Sequence, residues 1–335
     1  MRKLLLLLLT PLLVVSLPAL VALFVCRGRR YERRSGIQPY RVPSEHPLEL
    51  YFMPLSLCSS KVLFALKSAG CDVHLKEVDI GHFGRFEQLE ASFLRLNPNA
   101  CVPVLVHDGR PVLESDEILA YLSHKLVPGA LKPPEEDQHA AEAMQYWTER
   151  GGFVDMRGAM IDKAGAAVAA LSAPLFAIDL QYMRLPTLLG ALVKHPQPQI
   201  VALKLANWFL GAIKPPPRMI NEAFTTLTDC FSTMEASLSS GGDWLSGDEF
   251  TLADVTWAAN LARLDMLGVL AFFLEGRPAL CAYWRRLRQQ PGFADAFITP
   301  LSQSAEYREL QRVAKEARAR CESSGVARTY GWTPA

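Results

Sequence analysis

A chain of 335 residues is longer than one ordinary domain, so two compact units with additional segments are the natural partition. Thirty-five Lys and Arg against 34 Asp and Glu leave a formal charge of +1, too little net field to gather nucleic acid, which is not expected as a partner. The seven cysteines are odd in number and show neither a CxxC pair nor Cys/His ligand spacing, which argues against a disulfide framework or zinc site; no metal is expected.

From Leu4 to Cys26 the chain runs 23 residues without a charge. As a helix rising about 1.5 Å per residue, that run matches a hydrocarbon core of roughly 30 Å. A cleaved signal peptide is the competing reading, disfavoured by the length of the run, the lack of a small-x-small site before Arg27 and the basic cluster that follows. Arg27, Arg29, Arg30, Arg33 and Arg34 outnumber Arg2 and Lys3, so the positive-inside rule places the rest of the chain in the cytosol. Residues 1–34 are therefore expected as a single-pass N-terminal transmembrane anchor with its basic flank. Residues 35–47, with Pro39, Pro43 and Pro47, are expected as an extended linker.

Residues 48–128 give the pattern of an α/β unit. Leu48–Phe52 alternates as a strand, and Val62, Leu63, Leu66 and Ala69 form a helical stripe ending at Gly70. A second strand is expected over 73–78 and a helix over 83–96, completing a parallel βαβ unit. Val104–Val106 and Val112–Leu113 flank Asp108-Gly109, a two-residue hairpin turn in which both residues adopt positive φ. Ser115 is then a candidate N-cap for a helix carrying Ile118, Leu119 and Leu122. The order βαβ-ββα is that of a thioredoxin-like domain.

Asn97-Pro-Asn-Ala-Cys-Val102-Pro103, followed by Glu114-Ser115, resembles the glutathione-binding signature of the glutathione S-transferase superfamily. The resemblance implies a cis peptide before Pro103, with the Val102 backbone meeting the cysteinyl unit of glutathione. It also implies that Glu114 receives the γ-glutamyl ammonium and Ser115 its carboxylate. Cys101 stands where the family usually has Gln or Lys, removing one expected polar contact. Ser56-Leu-Cys58-Ser-Ser-Lys61 resembles the zeta class and the tetrachlorohydroquinone dehalogenases. In the former the residue matching Ser56 activates glutathione; in the latter the one matching Cys58 forms a mixed disulfide with a glutathionyl product. A loop hydroxyl or helix cap for Ser56, and a small core side chain for Cys58, are the structural alternatives.

From 136 to 304 the chain reads as an all-helical domain of the same superfamily. Thr251 and Asp254 have capping-box spacing ahead of an apolar helix, and Phe250-Thr-Leu-Ala-Asp-Val255 resembles a segment of the ganglioside-induced differentiation-associated proteins. An apolar insertion at about 165–217 is expected to lie on a membrane surface, wall the substrate pocket or add core. A charged tail occupies 305–335. The fold expected is thus that of a glutathione transferase, an α/β thioredoxin-like domain followed by an all-α domain. The implied function is glutathione-dependent attack on a lipophilic electrophile by conjugation, isomerisation or reductive dehalogenation. Glutathione is the cosubstrate, and an apolar substrate, a membrane and a second copy of the chain are the other expected partners. The alternative is a membrane-tethered scaffold with a weakened glutathione site.

Overall fold

The computed structural model describes residues 32–80, 85–152, 163–172, 184–194 and 217–303, with Arg308 and Arg312. Strand β1 (Gly36–Ile37) precedes β2 (Leu48–Phe52), α1 (Leu57–Ser68) and β3 (His74–Glu77). A 3-10 turn (Glu87–Leu89), α2 (Ala91–Leu96), the hairpin of β4 (Val104–His107) and β5 (Arg110–Leu113), and α3 (Ser115–Tyr121) follow. The helical unit contains α4 (Gln138–Gly151), α5 (Ala164–Leu171), α6 (Leu185–Lys194), α7 (Pro217–Ser240), α8 (Leu252–Met266), α9 (Leu270–Leu274), α10 (Pro278–Gln289), α11 (Phe293–Phe297) and α12 (Thr299–Gln303).

The sheet order is β1-β5-β4-β2-β3, with β2 and β3 parallel and every other pairing antiparallel. The hairpin turns at Asp108 (φ +48°) and Gly109 (φ +75°), as the sequence requires, and pairs His107 with Arg110. Val104, Leu105 and Val106 are all fully buried, the signature of a strand covered on both faces.

Helix α1 is the keel of the molecule. Val62, Leu63, Phe64, Ala65 and Leu66 are inaccessible to solvent, so this helix is buried all round, between the sheet and the helical unit. Phe64 meets Phe250, Phe293 and Phe297 with ring centroids 5.8, 5.8 and 5.4 Å away. Gly292 permits this approach: its φ is +81°, and a Cβ there would lie 2.3 Å from the Cβ of Lys67. The capping box of α8 forms as the sequence predicts, the Asp254 carboxylate accepting from Thr251 N–H at 2.8 Å. The same carboxylate also accepts from Leu245 N–H at 3.1 Å and the Tyr283 hydroxyl at 2.9 Å.

Three expectations change, and one left open is decided in part. Among the described residues no helix is long and apolar enough to cross a membrane, which overturns the expected localisation as a single-pass membrane protein with its domain facing the cytosol; the anchor expected over residues 4–26 lies outside the described residues. Residues 35–47 do not merely link: β1 adds a strand beyond β5, Gln38 N–H donates to Pro111 C=O and Val42 N–H to Gly109 C=O, both at 2.8 Å. In the helix expected over 83–96, Phe86 adopts φ +54° and Glu90 is extended, so only the 3-10 turn and the six residues of α2 form; residues 81–84 lie outside the described residues. The start of the expected insertion is core: Ala164, Ala167 and Val168 are fully buried in α5, and a Cβ on Gly165 would come within 2.4 Å of the Gly152 carbonyl oxygen. Residues 173–183 and 195–216 of that insertion lie outside the described residues.

Candidate functional site

The loop between β2 and α1 is fixed by its serines. Ser59 Oγ accepts from Met53 N–H at 3.3 Å, and the Ser60 hydroxyl donates to Pro54 C=O at 3.1 Å. Ser56 is the N-cap of α1, its Oγ accepting from Ser59 N–H at 3.3 Å. The capping role expected as the structural alternative is therefore present, and it does not consume the hydroxyl. A hydroxyl has one proton and two lone pairs; the cap uses a lone pair and leaves the proton able to donate to a thiolate.

Cys58, one residue into the helix from Leu57, is half-buried. Burial pushes its thiol above the ordinary cysteine value, while the Lys61 ammonium and a hydrogen bond from the Ser115 hydroxyl pull it down. The opening turns of α1 and α3 are thereby joined at a sulfur. Ser115 was expected to cap α3, but the structure places it at the first helical position and gives the cap to Glu114, without a side-chain capping bond. The hydroxyl is thus directed to Cys58 instead. Lys61, itself 6% exposed, is anchored by Asp116 at 2.5 Å, which holds a cation close to the thiol.

The Val102–Pro103 peptide is cis, as the resemblance implies. Neither N–H nor C=O of Val102 has a hydrogen-bond partner among the described residues, so an extended peptide can pair with it in strand fashion. Cys101 lies near enough to Cys58 for their charges to interact, but burial first, and Glu114 next, push its thiol up to about 12, so it stays protonated at neutral pH. Asn97 Nδ2 bonds the Cys101 carbonyl at 2.7 Å and thereby shapes the turn leading into Val102.

Glu114 holds φ +73°, a left-handed conformation that L residues adopt only at a cost of order 1–3 kcal/mol. Its carboxylate accepts from Arg33 Nε at 2.9 Å, Arg33 Nη2 at 2.6 Å and Asn99 Nδ2 at 2.8 Å. Cys58 and Ser115 thus meet, Ser56 caps the helix that carries Cys58, and Cys101, followed by Val102 and Pro103, lies close enough to feel both Cys58 and Glu114. Beyond Cys58 a small pocket opens between the domains, lined by Leu57, Cys58 and Lys61 on one side and Gly151, Thr256, Ala259 and Asn260 on the other.

Two family models match the chain: the glutathione S-transferase N-terminal domain over residues 55–125 and the glutathione S-transferase C-terminal domain over residues 192–291. The chain belongs to the glutathione S-transferase superfamily. The tetrachloro-p-hydroquinone reductive dehalogenase of Sphingobium chlorophenolicum is 26% identical over 255 residues, 76% of this chain and 96% of that protein. Glutathione S-transferase TCHQD of Arabidopsis thaliana is 24% identical, with 73% and 88% covered. The beta-etherase LigF of Sphingobium sp. strain SYK-6 superposes with a TM-score of 0.60 at 25% identity, covering 75% of this chain and 99% of that one.

Several groups at the transferase site escaped the sequence reading. Arg33 stood in a basic cluster whose simplest reading was topological, while Asp116 and Asn99 sat beside quoted motif residues without being singled out. Arg263 is buried in α8, yet donates to the Leu55 carbonyl, just ahead of Ser56, and to Ser172 Oγ at 3.3 Å. A lone Arg among apolar residues of a central helix was the available signal, since such a charge persists only when fully engaged.

Proposed function

We propose that this protein is a glutathione-dependent transferase acting on an apolar, aromatic electrophile. The observation that carries the reading is the pairing of Ser115 with Cys58, which lines the pocket between the domains, together with the partnerless backbone of Val102. Glutathione lies along Val102 as an added strand, its γ-glutamyl end towards Glu114 and Ser115 and its sulfur towards Ser56. The Ser56 proton stabilises the thiolate and the Lys61 ammonium supports it, raising the fraction of nucleophile at neutral pH. The sulfur attacks an electrophile held against Leu57 and Ala259, displacing a leaving group or adding to an activated double bond.

A second reading, reductive dehalogenation, is favoured by the Ser115–Cys58 hydrogen bond and by the named activity of the Sphingobium chlorophenolicum relative. Here Cys58 thiolate attacks the sulfur of an aryl–glutathione thioether. The carbon–sulfur bond breaks, its electron pair leaves with the aryl carbon and takes up a proton, and a Cys58–glutathione disulfide forms. A second glutathione then releases Cys58 and departs as oxidised glutathione.

Calorimetry with glutathione, followed by turnover of an activated aryl halide, tests the proposal. Millimolar or tighter binding, weakened by Ser115→Ala, with turnover lost in Ser56→Ala, supports transferase chemistry. Retained turnover in Ser56→Ala but none in Cys58→Ala selects the reductive route. No binding at millimolar glutathione leaves only a scaffold role.

A further inference from the structure

We infer that Arg33, which precedes the matched N-terminal domain, completes the γ-glutamyl pocket: its guanidinium receives the α-carboxylate of glutathione while Glu114 receives the ammonium. This inference rests on the transferase reading.

Arg33 is not on a loose tail. Arg34 N–H donates to Asn99 Oδ1 at 3.0 Å, and Asn99 Nδ2 returns a bond to the Arg34 carbonyl at 2.7 Å. Two residues later Gly36 pairs with Leu113 and Ile37 with Val112, the strand that ends at Glu114. The strap is therefore clamped on both sides of the Glu114 carboxylate, and the fork of Arg33 is delivered to it from a fixed backbone.

The charges favour a zwitterion. Glu114 already accepts three hydrogen bonds, two on Oε1 and one on Oε2, out of about four acceptor positions for a carboxylate. The one remaining, on Oε2, suits an ammonium N–H. An amine alone would arrive beside the guanidinium and be repelled. An α-amino acid end brings its own carboxylate to the guanidinium, so opposite charges alternate from Glu114 through the ligand to Arg33. Both members are accessible, with 36% of the Arg33 side chain and 22% of the Glu114 side chain exposed. Arg is suited to this place because its planar fork binds carboxylates in two-pronged fashion, which Lys cannot do.

The test measures Kd by calorimetry on the full chain for glutathione and for γ-aminobutyryl-cysteinyl-glycine, which lacks only the α-carboxylate. Arg33→Ala is expected to weaken glutathione about ten- to a hundredfold, the range for loss of a charge-assisted contact. The same variant leaves the decarboxylated tripeptide unchanged or binds it more tightly, and Arg33→Lys recovers part of the loss. Unchanged or tighter glutathione binding by Arg33→Ala overturns the inference, the latter showing that the ion pair only blocks the pocket. Equal weakening of both ligands also overturns it, because Arg33 would then act through the strap's structure. Wild-type protein that binds neither ligand refutes the transferase reading itself, whereas wild-type binding indifferent to Arg33 removes only the role of this residue.

Discussion

The seam around α1 and the polar end of the site around Glu114 are held by opposite means. At the seam, Phe64, Phe250, Phe293 and Phe297 interlock with Gly292 touching α1, and a single added methyl group has nowhere to go. At the polar end, Arg33, Asn99 and Glu114 are joined by hydrogen bonds, and the Arg33–Glu114 pair remains partly open to water. Close packing gives a seam that fixes distance and cannot exchange partners. Charged, hydrated contacts give a pocket that contributes little to stability and can trade its partners for a ligand.

Gly292→Ala is the most severe way to break that contrast. Overlap with Lys67 and a positive φ together are expected to cost about 3 kcal/mol, read as a lower midpoint in urea unfolding. Arg263→Ala is expected to cost about 2–3 kcal/mol, since it strips buried partners from the Leu55 carbonyl and Ser172. It should also lower turnover by releasing the loop that carries Ser56.

Asp254 offers a pH test of the buried side. Burial raises its carboxyl from 3.8 to about 6, against the hydrogen bonds it accepts. A raised folded-state value means the contribution is fully present below about pH 4 and is lost as pH rises through about 6, a swing of about 3 kcal/mol. Urea unfolding of wild type and Asp254→Asn across pH 4 to 7 should show the wild type losing stability relative to the variant; a difference independent of pH would refute the assignment.

Ser56→Ala sharpens the comparison from the polar side. Loss of the cap is expected to cost about 1 kcal/mol, whereas thiolate stabilisation should fall enough to reduce turnover at least tenfold. The smallest effect is expected from Lys61→Met. Removal of the ammonium raises the Cys58 thiol further, so alkylation of Cys58 by iodoacetamide at pH 8 should slow several-fold with little change in melting temperature.

Local patterns were legible wherever one residue dictates a backbone state. The Asp108-Gly109 turn, the capping box at Thr251 and Asp254, and the cis bond at Pro103 all follow from motifs a few residues long. The motif residues Ser56, Cys58, Val102, Pro103, Glu114 and Ser115 also fall in one region. What did not show was anything requiring distant strands to meet. Nothing local marks Gly36-Ile37 as a strand, because two residues have no period and their partner, Leu113, is 77 positions from Gly36. Arg33 and Arg263 were hidden for the same reason: their partners lie 81 and 208 residues away.

The short β1 also changes what β5 is. With Gly36 and Ile37 beside it, β5 is an interior strand rather than the border of the sheet. A chain trimmed to begin at Leu48 would keep every residue of the matched N-terminal domain and still bare the main-chain groups of β5 that face β1, among them the Pro111 carbonyl that accepts from Gln38. Such a border is a template for another strand, so the shortened protein would be prone to sheet-to-sheet self-association. Those few residues ahead of the domain act as its selvedge.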